Sequence, residues 1–201
     1  MPGPTTLLLF GEPRLAFGET DGFGDRDIPA GGKRLVAYAA LHRGRLDRRH
    51  AAGTLWPSCD DVRAAGNLRS ALWRLRAGGL SVLEADKQQV WLRAEVTVDA
   101  DQVATWALRL IDGGPASDRD EATWHRSRPG LLPGWPEEWV GPYRERLRQR
   151  VLHAMEARAY ALLAAGGLER ALTAARLLVA AEPQRATAHR LLDAIDRAAR
   201  R

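Results

Sequence analysis

Between Asp60 and Gly79, apolar residues return every three or four positions, at Ala64, Ala65, Leu68, Ala71, Leu72 and Leu75. This spacing predicts a helix with one apolar stripe. At about 100° per residue, Arg63, Asn67, Ser70 and Arg74 gather on the opposite side. Gly66 and Trp73 flank that side, and Arg69 and Arg76 edge the stripe. Arginine, asparagine and serine carry the donors and acceptors that meet base edges and phosphates in a DNA groove. A solvated amphipathic helix has the same pattern, so the helix alone leaves both readings open.

The neighbouring pattern places this helix third in a small α+β unit. Residues 6–17 alternate a short apolar run with Gly11, Glu12 and Pro13, which predicts two strands about a tight turn. Gly18 to Asp27 is expected to be a loop, with Ile28 in a short third strand. Lys33 to His42 reads as a helix, and Asp47 is placed to cap a second one that ends at Trp56 before Pro57. Ser58 or Asp60 caps the third helix, and Gly78-Gly79 ends it. Leu80–Glu84 and Gln89–Arg93 predict a hairpin about residues 85–88, and Val96–Val98 one more strand. Strands, three helices and a hairpin describe a winged helix-turn-helix over residues 1–99.

From residue 100 the pattern becomes helical. Helices are expected at Asp101–Ile111, near Glu121–Arg126, at Glu137–Ala165 with a bend at Gly141-Pro142, at Leu168–Ala181 and at Gln184–Ala199. The pair about Gly166-Gly167 resembles a tetratricopeptide hairpin. The expected fold is therefore an α+β winged helix-turn-helix followed by an all-α, tetratricopeptide-like helical domain over residues 100–201.

Charge sharpens the first half. The chain carries a net +5, yet residues 33–76 alone hold ten basic and three acidic residues, a net +7. A basic patch confined to one segment is the footprint expected for a polyanion. No apolar run approaches the roughly 20 residues of a membrane span, and no basic segment precedes the first apolar run, so neither membrane nor signal peptide is expected. A single cysteine, Cys59, excludes an internal disulfide and a multi-thiolate zinc site. A cytoplasmic bacterial protein is the expectation.

Catalytic and cofactor patterns are not found. Gly24 to Lys33 has the wrong glycine spacing for a phosphate loop, and Arg34 stands where Ser or Thr is required. His42, His50, His125, His153 and His189 are scattered and form no metal-ligand pair. Glu137-Glu138 are adjacent and cannot share a helix face; they read as first-turn acids favoured by the helix dipole. Trp56, Trp106, Trp135 and Trp139 read as packing residues. Neither an enzyme nor a cofactor is expected.

Several segments resemble the Streptomyces antibiotic regulatory protein family. They are Leu7 to Gly11, Lys33 to His42, Leu55-Trp56-Pro57 with Asn67 to Arg76, and Leu131 to Trp135 with Trp139 and Arg144 to Arg148. That family joins an OmpR-type winged-helix DNA-binding domain to a bacterial transcriptional activation domain. The resemblance implies a transcriptional activator that binds direct repeats in double-stranded promoter DNA, as a homodimer, and contacts RNA polymerase. Family members usually continue with further helical repeats, so the chain is expected to be a C-terminally shortened form.

The resemblance also assigns roles by position. Arg63, Asn67, Ser70, Trp73 and Arg74 would read bases from the major groove. Lys33, Arg34, Arg48, Arg49, Arg69 and Arg76 would hold phosphates, and Lys87 and Gln88 would form the tip of the wing. The alternative is a helical protein-interaction or scaffold module whose basic N-terminal domain binds DNA weakly or not at all.

Overall fold

The computed structural model describes residues 5–18 and 25–200. The chain divides into two compact units, Met1–Asp99 and Ala100–Arg201.

In the first unit, β1 (Thr5–Leu8) runs antiparallel to β2 (Arg14–Phe17), which pairs antiparallel with β3 (Asp25–Asp27). The third strand thus precedes Ile28 and does not contain it; Ile28 is instead fully buried just before the first helix. Residues 19–24 of the expected loop lie outside the described residues. Three helices follow: α1 (Ala30–His42), α2 (Arg48–Leu55) and α3 (Asp61–Ala77). Asp47 caps α2 by accepting from His50 N, and Asp60 caps α3 by accepting from Arg63 N. Gly79, at φ 71°, takes the left-handed turn that ends α3.

A two-residue strand that sequence reasoning missed, β4 (Leu46–Asp47), pairs with β6 (Gln89–Leu92), which in turn pairs with β5 (Leu83–Ala85). The hairpin is therefore the larger part of a three-stranded sheet. The last strand, β7 (Val96–Val98), leaves that sheet and runs parallel to β1. Just beyond it, the buried Asp99 carboxylate accepts from Leu9 N and Phe10 N, tying the end of β7 to the chain that leaves β1.

The stripe of α3 forms the core of this unit. Ala64, Leu68, Ala71, Leu72 and Leu75 are buried, and α3 packs against α1 and α2. The crossing with α1 is close. A Cβ built at Gly32 would stand 2.7 Å from Leu75 Cδ2, so glycine is what admits Leu75.

The second unit contains α4 (Asp99–Ile111) from Ala100 onward, α5 (Arg119–Ser127), α6 (Val140–Ala164), α7 (Leu168–Ala181) and α8 (Ala186–Ala199). The long helix begins at Val140, so Glu137 and Glu138 precede it and are not first-turn acids. Pro142 lies in its first turn, where a missing N–H has no intrahelical partner to lose, and no bend is needed there. The last helix starts at Ala186, two residues after the expected Gln184. Small residues let α7 lie between α6 and α8: Ala171, Ala174, Ala175 and Ala188 are all fully buried, with Leu178, Leu191 and Ile195.

Buried ions fix these helices. Asp120 accepts from Trp106 Nε1 (2.9 Å), Arg109 Nη2 (2.6 Å) and Ser117 N (2.6 Å), and Arg158 stands 3.6 Å away. Glu156 accepts from Arg185 Nε at 2.5 Å and from the Thr187 hydroxyl. Burial alone would raise the Glu156 carboxyl, but the hydrogen bonds from Arg185 and Thr187 outweigh it and hold the group below its ordinary value. Arg144 donates to the carbonyls of Leu131, Leu132 and Trp135, pinning a loop in which buried Leu132 has φ 47°.

Two outcomes are expected from this packing. Gly32→Ala should lower stability by about 1–3 kcal/mol through overpacking, despite alanine's better helix propensity. The loss should shrink when combined with Leu75→Ala, as a double-mutant cycle in urea will show. The depressed Glu156 carboxyl contributes stability that is in place above the ordinary value of 4.5 and is lost as pH falls through the folded value. The Glu156 contribution to the unfolding free energy should hold level from about pH 7 to 5 and then drop, so that the difference between the wild type and Glu156→Gln changes only below about pH 5.

Candidate nucleic-acid interface

Because the stripe of α3 is buried, its remaining side chains face outward. Arg63, Arg69, Ser70, Trp73, Arg74 and Arg76 are exposed, with Trp73 at 69%. Val62, at 80% exposed, lies on the same outer ridge as Trp73, about three turns away along the helix. Sequence reasoning passed over Val62; the signal was an apolar residue lying off the stripe. From Val62 to Ala77 the helix has no acidic residue, and Arg63, Arg69 and Arg76 make no ion pair among the described residues.

Two of the expected base readers have neighbours within the unit. Asn67 is half-buried and its Nδ2 donates to Cys59 Sγ at 3.7 Å. Arg74 leans toward the start of α1, where a Cβ at Gly31 would stand 2.8 Å from its Nη1. Both therefore sit at one flank of the face, while Val62, Gly66, Ser70 and Trp73 run along its middle. At about 100° per residue these four fall within roughly 80° of one another.

The expected phosphate holders divide in the same way. Lys33 bridges Asp27 (3.1 Å) and Glu12 (3.2 Å). The hydrogen bond it donates to Asp27 is the main cause that raises its ammonium above the ordinary value. Lys33 thus ties α1 to the strands and is committed inside the unit. Arg34 is half-buried in α1. Arg49 is exposed and stands 3.5 Å from the equally exposed Asp61, a contact of little strength in water.

Arg48 organises the hairpin instead of standing free. Its backbone N donates to Gln88 O at 2.8 Å and its Nη1 to Asp86 O at 2.5 Å. Asp86 in turn accepts from Gln88 N and Gln89 N, and those backbone bonds hold its carboxyl below the ordinary value. The turn that presents exposed Lys87 and Gln88 is thereby fixed to the start of α2. Arg45, which sequence reasoning counted but did not single out, lies over the Trp91 ring at 3.9 Å.

Other sites offer less. A cleft of about 360 Å³ runs between Arg76 and the hairpin, but the polar groups on its hairpin side pair with one another: Trp91 Nε1 donates to Glu84 at 2.9 Å, and Arg93 stands near Glu84 and Glu95. Among the described residues no three His, Cys, Asp or Glu side chains group as metal ligands. No helix among them is long and apolar enough to cross a membrane.

An α/β unit that presents a basic helix face, followed by an all-helical unit, is an arrangement suited to a regulator. Residues 84–201 match the family of the bacterial transcriptional activator domain, and the chain belongs to that family. Its role therefore lies in transcription regulation. The match begins at Glu84, within β5, so it takes in the last two strands of the first unit as well as the whole second unit. No curated protein matches the chain.

Proposed function

We propose that the chain is a sequence-specific DNA-binding transcriptional activator of the Streptomyces antibiotic regulatory protein type. In this reading residues 1–99 form an OmpR-type winged helix, with α3 as recognition helix and the β5–β6 turn as wing. The observation that carries it is the outer face of α3: four arginines flank Ser70, Val62 and Trp73, and no acid intervenes. A face of this charge suits the major groove, where Arg63 and Ser70 would meet base edges, with Asn67 and Arg74 at the flank. Arg69, Arg76 and Arg49 would hold phosphates, and Lys87 and Gln88 the backbone beside the wing. The second unit would contact RNA polymerase, with two copies on direct repeats. The protein would act without a cofactor and without catalysis.

Selection of bound fragments from a random DNA pool by the full chain should return a repeated half-site. A pool that stays random after several rounds overturns the reading. On the selected site, Arg63→Ala should cost roughly 1–3 kcal/mol and relax one base position. Arg69→Ala and Arg76→Ala should each weaken binding to all sequences and reduce the salt slope by about one. Lys33→Ala, whose ammonium is held by Asp27 and Glu12, should lower thermal stability while leaving that slope unchanged.

A further inference from the structure

Two features in the middle of the α3 face have no explanation within the fold. The first is Val62, an apolar side chain 80% exposed beside a basic surface. The second is Gly66, in the interior of a 17-residue helix. Glycine weakens a helix relative to alanine, so its presence there needs a reason. Gly31 and Gly32 have one: a Cβ at either would collide with Arg74 or Leu75, at 2.8 and 2.7 Å. Gly66 does not. Among the described residues a Cβ there would meet only Arg69 Nη2, at an ordinary 3.7 Å.

Val62 and Gly66 are four residues apart, so they stand one above the other on the same face, about 5–6 Å apart. Together they form an apolar wall beside a notch at which the helix backbone can be approached closely. The arginines on both sides supply charge complementary to DNA. One feature of a major groove is both apolar and projecting, the C5-methyl group of thymine. We infer that Val62 and Gly66 form a thymine-reading pair, the methyl seating in the Gly66 notch against the Val62 side chain. The inference rests on the DNA-reading function proposed above and adds to it a specificity no arginine would confer.

The test uses the full chain and its selected DNA site, with each thymine replaced in turn by deoxyuridine, which removes only the methyl. One replacement should weaken binding about fourfold, the transfer value of one buried hydrocarbon group. Val62→Ala should abolish that sensitivity at the same position. Gly66→Ala should weaken binding to the thymine site by about tenfold while leaving the melting temperature unchanged or raised, because alanine favours the helix. Tight site-specific binding with no methyl-sensitive thymine overturns the inference and leaves the DNA-reading function standing. So does full affinity in Gly66→Ala. Failure to select any site overturns both.

Discussion

The close crossing of α1 and α3 at Gly32 and Leu75 is the contact on which the first unit turns. It seats the α3 stripe in the core and so fixes the rotation of that helix about its own axis. One residue corresponds to about 100° of rotation. A shift of one residue would carry Val62, Gly66, Ser70 and Trp73 off the outermost ridge. The Asp60 cap fixes where the helix begins, and Gly79 fixes where it stops. Everything the outer face presents follows from these three positions.

The charged groups of the second unit act differently. Burying Asp120 or Glu156 costs solvation that apolar residues would not lose, so these pairs are poor evidence for stability as such. They are, however, directional. Asp120 takes donors from α4, from the residues before α5, and stands beside Arg158 of α6, so it accepts one arrangement of those segments. Arg144 serves the Leu131–Trp135 loop in a similar way. Three carbonyls that no helix or strand satisfies are met by one planar guanidinium, a geometry lysine cannot reproduce.

Local signals were legible in the sequence. The α3 stripe, the Asp47 cap and the hairpin show as periodicity or as residue types with one structural use, although Ser58 competed with Asp60 for the α3 cap and the first hairpin strand starts at Leu83, three residues after the expected Leu80. What was not legible depends on distant partners. β4 is two residues long and exists because β6 lies alongside it, so it leaves no pattern of its own. The third strand was misplaced because Asp25 to Asp27 are polar and are held as a strand by pairing with β2. For the candidate interface, periodicity separated the buried from the exposed side of α3. It could not show that Asn67 donates to Cys59, that Arg74 leans on Gly31 or that Lys33 is held by two acids. Each depends on residues brought close only by folding. Val62 was overlooked because an apolar residue off the stripe looks like noise until its exposure is seen.

The parallel pairing of β7 with β1 has a bearing on how the chain is made. Leu7 and Val98 are register partners, and the Asp99 carboxylate receives the N–H groups of Leu9 and Phe10 from about ninety residues earlier. A polypeptide emerging from its N-terminus can form α1, α2 and α3 from local contacts. It cannot close the first sheet until residue 99 has left the ribosome, and such distant pairings are slow to form. By then the segment belonging to the activator family, which begins at Glu84, is already under synthesis. The first unit is therefore completed by strands that family shares, and a fusion or truncation made at residue 84 would leave β1 without its parallel neighbour.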